Sequence, residues 1–354
     1  MNLEQLGWNE HFQQHFEALK TNEWVAARVA LEHKHMYRLY SQHGELLAEV
    51  SGKLRFGATL REDYPAVGDW VACSARPEEG KATIHAILPR ISKFSRKVAG
   101  STTEEQIVAT NVNTVFLVNA LNNDFNPRRI ERYLIMAWES GANPVVILSK
   151  ADLCEDVEEK LKEVESVAFG VPIHVISTYQ QAGMESLHQY IGNGQTVALL
   201  GSSGVGKSTL LNYLYGETKQ EVQEVREKDD RGKHTTTHRE LVLLPDKGIV
   251  IDTPGMRELQ LWEADEGLGE AFEDVETIAA NCYFSDCHHR DEPGCAIQQA
   301  LQDGTLDSKR YQSYQKLQRE LAFLARKEDQ RLQSQEKDKW KKLSQTQRKQ
   351  KVRR

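Results

Sequence analysis

Between residues 22 and 90, short runs of apolar and β-branched residues alternate with polar ones and are cut by turn residues. Trp24–Val29, His35–Tyr40, Glu45–Val50, Asp69–Ala75 and Thr83–Leu88 predict five strands, and Gly44, Gly52, Gly57, Pro65, Gly68 and Gly80 lie between them. Five such strands in so short a stretch predict a small OB-type β-barrel. Residues 91–110 break the pattern with the polar run Ser95-Arg-Lys-Val-Ala-Gly-Ser-Thr-Thr, which predicts a linker or flexible loop. From residue 114 the pattern alternates between two periods. Strands are predicted at Thr114–Asn119, Pro144–Ser149, Val171–Ser177 and Thr196–Leu200, and helices at Pro127–Ser140, Val157–Phe169 and Met184–Ile191. That alternation calls for a mainly parallel sheet with helices on both faces, extended by strands at Glu240–Leu244 and Ile249–Asp252. After residue 265 the pattern is helical apart from a cysteine and histidine cluster.

The strand at Thr196–Leu200 runs into Gly201, Ser202, Ser203, Gly204, Val205, Gly206, Lys207, Ser208 and Thr209, a full phosphate-binding P-loop, and a helix at Lys207–Tyr215 follows. The glycines let backbone N–H groups turn toward phosphate oxygens at a helix N-terminus. Lys207 is expected to reach the β- and γ-phosphates, and the Ser208 hydroxyl to bind Mg²⁺. Downstream, Asp252-Thr-Pro-Gly255 ends a strand: Asp252 would hold Mg²⁺ through water, and the Gly255 N–H would sense the γ-phosphate. Between them, Arg231-Gly-Lys-His-Thr-Thr-Thr-His238 offers Thr235, Thr236 and Thr237 as candidates to close on Mg²⁺.

The element that would choose the base comes earlier in the chain. Ser149, Lys150, Ala151 and Asp152 follow a buried-type strand; the Asp152 carboxylate would accept from guanine N1 and N2, a donor pair adenine lacks, and the Lys150 stem would pack over the ring. Ser177 and Thr178, at the next strand end, fit a backbone contact to guanine O6. Two other matches, Glu227-Lys-Asp-Asp230 and Arg326-Lys-Glu-Asp329, are set aside because no buried strand feeds the first and a charged amphipathic helix contains the second. In an ordinary GTPase the base-reading element follows the P-loop, so the order here implies a circularly permuted GTPase. The residue after Gly255 is Met256 where many GTPases carry a water-orienting Gln, so water must be positioned by His234 or by a partner.

Cys282-x4-Cys287-x-His289-x5-Cys295 supplies three thiolates and an imidazole, a tetrahedral Zn²⁺ set with no open position, although spacing alone leaves His288 as a competing ligand. Charge is divided along the chain. Residues 309–354 carry 16 Lys and Arg against 5 Asp and Glu, and since the whole chain is −7, residues 1–308 carry −18. A basic tail on an acidic body suggests a polyanionic partner, RNA above all, or else a solvated helix. The N-terminus has no signal-peptide pattern and no long apolar run exists, so a cytoplasmic protein with no membrane partner is expected.

These motifs together resemble the RsgA family, the bacterial small-ribosomal-subunit-dependent GTPases. The resemblance covers nearly the whole chain and rests on Ser149–Asp152, the P-loop 201–209, Gly232-Lys-His-Thr-Thr-Thr237, Asp252–Gly255 and the Cys-x4-Cys-x-His-x5-Cys spacing. It implies a late assembly factor that binds GTP and GDP, the 30S subunit and 16S rRNA, and is stimulated by that subunit. It also implies His234 as the catalytic histidine, Thr236 as the Mg²⁺-linked threonine and His289 as the zinc ligand. Ser149 departs from the usual Asn or Thr. A monomer is expected. The organisation expected is an N-terminal extension (1–21), an OB-type barrel (22–92), a linker (93–112), an α/β P-loop GTPase domain (113–264), a helical zinc-binding module (265–330) and a basic tail (331–354). The alternative is a nucleotide-gated binding module with negligible turnover.

Overall fold

A computed structural model describes residues 1–21, 23–33, 36–97, 105–202, 204–216, 239–244, 248–252, 265–290, 292–323 and 326. The contacts divide the chain into two compact units, Met1–Gln260 and Leu261–Arg354.

In the first unit, strands β1 (Val25–His33), β2 (Met36–Ser41), β3 (Gly44–Val50), β4 (Trp70–Arg76) and β5 (Lys81–Ile87) close into the expected barrel, in the order β1-β2-β3-β5-β4 with β4 pairing back onto β1. β3 and β5 are parallel and the other pairs antiparallel. The period of two is visible in the barrel core, where Tyr37, Leu39, Leu46, Ala48, Val50, Val71, Cys73, Ala82 and Ile84 all point inward. The outward set of β1 and β4 is also buried. Ala26 and Trp70 pack under Leu6 and Phe12 of the N-terminal segment, where helix α1 (Glu10–Glu17) is capped by Asn9. A short helix α2 (Gly52–Gly57), capped by Ser51, follows β3; it is too short to show a helical period in the sequence.

The stretch read as a linker instead contains two paired strands. β6 (Lys93–Lys97) and β7 (Glu105–Thr110) are antiparallel, with Lys93 opposite Thr110 and Ser95 opposite Ile107. Phe94, Val108 and Ala109 are buried, so the polar residues around them hid a strand pair.

The α/β part comprises β8 (Thr114–Ala120), α3 (Pro127–Glu139), β9 (Asn143–Ser149), α4 (Val157–Glu165), β10 (Ile173–Val175), β11 (Thr196–Leu200), α5 (Lys207–Tyr215), β12 (Glu240–Leu244) and β13 (Gly248–Asp252). Met184–Tyr190 is a 3₁₀ helix where an α-helix was expected, and α4 and β10 are shorter than their apolar runs suggested. Sheet order is β10-β9-β8-β11-β13-β12; the first five are parallel and β12 is antiparallel to β13. β8 and β11 are buried along their whole length, as a sheet covered on both faces requires.

The barrel and this sheet are continuous, since Leu31 of β1 pairs with Glu240 of β12. Arg28 lies at the junction. It faces away from the barrel interior, fully buried, and donates to Gly68 O (3.1 Å), Leu6 O (2.6 Å), Thr196 Oγ1 (2.9 Å) and Asn111 O (2.9 Å). Its four acceptors come from the barrel, the N-terminal segment, β11 and the turn after β7. Burial pushes the guanidinium pKa down to about 9, opposed by the Asp69 carboxylate.

The second unit holds helices Asp265–Ala271, Glu273–Ala279 and Ala296–Asp303, and a helix over 308–323. Phe272, Val275 and Ile297 are fully buried, and Arg310 lies 4.3 Å over the Phe272 ring while forking onto Asp274 (3.0 and 2.9 Å). No described helix is long and apolar enough to cross a membrane.

Replacing Arg28 by Met would leave Leu6 O, Asn111 O and the Thr196 hydroxyl without their Arg28 donor, while Gly68 O keeps Asn111 Nδ2 (3.0 Å). The expected loss is about 3 kcal/mol, read from the urea midpoint, with the barrel and the α/β part loosening together. A loss below about 0.5 kcal/mol would contradict this role.

Candidate functional site

Parallel strands deliver their following loops to one edge of a sheet. The carboxyl ends of β8, β9, β10 and β11 are adjacent in the order β10-β9-β8-β11, so residues 121–126, 150–156, 176–183, 201–202 and 204–206 meet at that edge.

The loop after β11 is shaped by its glycines. A Cβ on Gly201 would lie 2.3 Å from Val118 O, so only glycine fits beside β8. Gly206 has φ +99 and sits at the N-cap of α5, its carbonyl accepting from Leu210 N at 2.8 Å. Gly204 is also in the left-handed region, Val205 is buried, and Ser208 and Thr209 are exposed on the first turn of α5. Lys207 Nζ folds back over the loop and donates to Gly201 O and Ser202 O, both at 2.6 Å.

Ser149, the last residue of β9, is opposite Ala120 of β8. Its buried hydroxyl lies 2.6 Å from Val205 O and 3.2 Å from Asn119 O. With a single proton it donates to Val205, which ties the end of β9 to the loop after β11 across β8. Lys150 then takes φ +59, Ala151 N donates to Ile176 O (3.2 Å), and Ser177 Oγ donates to Asp152 Oδ1 (2.5 Å). Ser177 is buried and exchanges backbone bonds with Ala182; Thr178, beside it, is half-buried. The 149–152 and 177–178 segments therefore form one hydrogen-bonded unit next to the P-loop.

A cluster that the sequence reading did not single out flanks the P-loop. Asp124 and Arg129 form a two-bonded ion pair (2.6 and 2.9 Å), and both reach Ser202 Oγ at 2.9 Å. The Arg129 and Ser202 hydrogen bonds hold the Asp124 carboxyl down at about 2. Nothing in Asn122-Asn-Asp-Phe-Asn126 signals this cluster, because the pairing depends on β8 and β11 being neighbours.

Asp252 ends β13, in register with Glu240. Ser203, His234, Thr236, Gly255 and Met256 lie outside the described residues.

In the second unit, Cys282, Cys287, His289 and Cys295 each offer one ligand atom, all within 4.8 Å of one another. His289 Nδ1 lies 3.5 Å from Cys282 Sγ and 3.6 Å from Cys295 Sγ. The geometry selects His289 through a left-handed backbone (φ +57) and a bond from Gln298 Nε2 to His289 O (2.7 Å). His288 instead donates its N–H to Glu292 and is outside the cluster. Three soft thiolates and an imidazole, gathered this closely, fit a tetrahedral metal ion.

Comparison with known proteins agrees with this arrangement. A family model described as RsgA GTPase matches residues 87–262, and one described as ABC transporter matches residues 184–352; the P-loop lies within both. A small ribosomal subunit biogenesis GTPase RsgA of Opitutus terrae is 48% identical, covering 98% of this chain and 97% of its own. One from Methanosarcina acetivorans is 40% identical over 96% of this chain and 90% of its own. The crystal structure of YjeQ from Thermotoga maritima superposes with TM-score 0.65 at 28% identity, covering 84% of this chain and 99% of that one. YloQ, described as a circularly permuted GTPase, has TM-score 0.61 at 23% identity, covering 85% of this chain and 96% of that one, a likeness of fold alone. A sheet edge that unites the P-loop sequence with a strand end from earlier in the chain, relatives similar along almost the whole length and a matching fold lead to one conclusion: the chain belongs to the RsgA GTPase family and is a circularly permuted, GTP-hydrolysing enzyme.

Proposed function

We propose that this GTPase acts in small ribosomal subunit assembly as a timing switch, bound to 16S rRNA and stimulated by the 30S subunit. The observation that carries the nucleotide chemistry is the Ser149–Val205 hydrogen bond, which joins the base-reading segment to the phosphate loop. The partner is supported by the names of the relatives, which are small ribosomal subunit biogenesis GTPases.

In this reading Asp152 accepts from guanine N1 and N2, Lys150 covers the ring, Ala151 lines the base pocket, and the backbone at Ser177 and Thr178 meets O6. The loop 201–209 wraps the phosphates, with Lys207 at the β- and γ-positions. Ser208 and Thr236 would ligate Mg²⁺, with Asp252 contributing through water, and the ion when bound would supply charge neutralisation at the phosphates. Gly255 reports the γ-phosphate. With Met256 in place of a glutamine, His234 orients water once the subunit docks. Cys282, Cys287, His289 and Cys295 hold one structural Zn²⁺. The barrel (22–92), GTPase domain (113–264), zinc module (265–330) and basic tail (331–354) act together in a cytoplasmic monomer, and the tail's Lys and Arg add phosphate contacts.

Steady-state GTP hydrolysis with and without 30S subunits tests the switch. Stimulation of about 10²-fold or more, weakening as salt rises, is expected. Equal turnover with and without subunits would sink the ribosome-dependent reading, and negligible turnover in both would favour a nucleotide-gated binder.

The metal centre has its own expectation. The purified protein should contain one zinc per chain, and Cys287→Ser should abolish its retention and reduce the helical circular dichroism of the second unit, with GDP affinity preserved. Full helicity and an unchanged metal content in Cys287→Ser would refute the ligand set.

A further inference from the structure

The ring formed by Asp124, Arg129 and Ser202 is fixed in polarity. Arg129 can only donate and the Asp124 carboxylate can only accept. The single proton of the Ser202 hydroxyl therefore goes to Asp124 Oδ2 (2.9 Å), and its lone pair takes Arg129 Nη1 (2.9 Å). Both ends are anchored. Asp124 N donates to Asn122 Oδ1 (3.0 Å), Phe125 N donates to Asn122 O (2.9 Å), and Asn126 caps α3 by accepting from Arg128 N (3.1 Å). Arg129 is in the first turn of α3, a helix seated by the fully buried Ile130 and Leu134. On the other side, the carbonyls of Ser202 and Gly201 accept from Lys207 Nζ.

We propose that Asp124 and Arg129 are positioning residues for the phosphate loop: through the Ser202 side chain they hold the carbonyl that aims Lys207, and so set the affinity for the nucleotide's phosphates. This rests on the reading of residues 201–209 as the phosphate-binding loop. The Asp124 and Arg129 side chains are 49% and 26% exposed, so the pair adds little to global stability and its effect is local. With the Asp124 carboxyl held at about 2, the ring keeps its charges at neutral pH and comes apart only as pH falls toward that value. Any contribution of the pair to folding has the same sign, present above the ordinary carboxylate pKa and lost in acid.

The test is a double-mutant cycle on Mg²⁺-GDP affinity in the full-length protein, using wild type, Arg129→Met, Ser202→Ala and the double variant, with Lys207→Ala as reference and melting temperatures recorded throughout. Arg129→Met is expected to weaken GDP about tenfold, equivalent to about 1.4 kcal/mol. Ser202→Ala should do the same, the double variant should bind no worse than either single, and melting temperatures should stay within about 2 °C of wild type. Arg129→Lys, with a single ammonium in place of the fork, should fall between wild type and Arg129→Met. An unchanged affinity in Arg129→Met, or an equal loss from Arg129→Met in the Ser202→Ala background, would overturn the proposal. If Lys207→Ala leaves GDP affinity intact, the phosphate-loop reading itself fails, an outcome distinct from failure of the clamp alone. Should Arg129→Met not fold, Asp124→Asn, nearly isosteric and half-exposed, carries the same comparison with Ser202→Ala.

Discussion

Because β9, β8 and β11 are parallel neighbours, loops about fifty residues apart in the chain end at the same edge of the sheet. Everything proposed for the nucleotide depends on that adjacency. Ser149 can reach Val205 only because β8 alone separates their strands, and the Asp124 and Arg129 pair can reach Ser202 only because β8 and β11 are in contact. Chain order does not enter into it. A strand supplies its loop at its carboxyl end whichever segment was joined to its amino end, so permuting the order of the strands leaves the site's geometry intact.

The barrel is coupled to this sheet by a polar core rather than by apolar packing alone. A buried guanidinium is costly to desolvate, and Arg28 offsets that cost with four acceptors drawn from separate parts of the chain. One of them, Thr196 Oγ1, begins the strand that ends in the P-loop. Asp69 nearby is fully buried and is itself gripped by Arg90 through two 2.8 Å bonds. The apolar cluster of Leu6, Phe12 and Trp70 covers the same face. The barrel is thereby held against the amino end of β11.

The parts of this architecture that could be read in the sequence are those set by local pattern. β11, α5 and β12 begin and end where the local pattern predicts: β11 is buried along its whole length, α5 buries Leu210, Leu211, Leu214 and Tyr215, and β12 buries Leu241 and Leu244. The barrel strands were legible from alternation, to within a few residues. The hairpin of β6 and β7 was not, since a strand pair rich in Lys, Arg and Ser carries little hydrophobic signal. Arg28 reads as one charged residue in an apolar strand, and its partners are as many as 168 residues away. The Asp124 and Arg129 cluster depends likewise on strand adjacency. In the cysteine and histidine cluster, spacing left His288 and His289 open, and backbone conformation distinguishes them.

The central claim is that the strand end at Ser149–Asp152 reads the base of the nucleotide whose phosphates lie on the loop after β11. The most direct measurement is the affinity of Asp152→Asn for GDP and for xanthosine diphosphate, whose base presents a carbonyl where guanine carries an amino group. If Asp152 accepts from the guanine edge, exchanging that acceptor for an amide donor should weaken GDP and strengthen the xanthine nucleotide, inverting the preference by about 10²-fold or more. Equal affinities of wild type and Asp152→Asn for both nucleotides would place the base elsewhere and contradict the account.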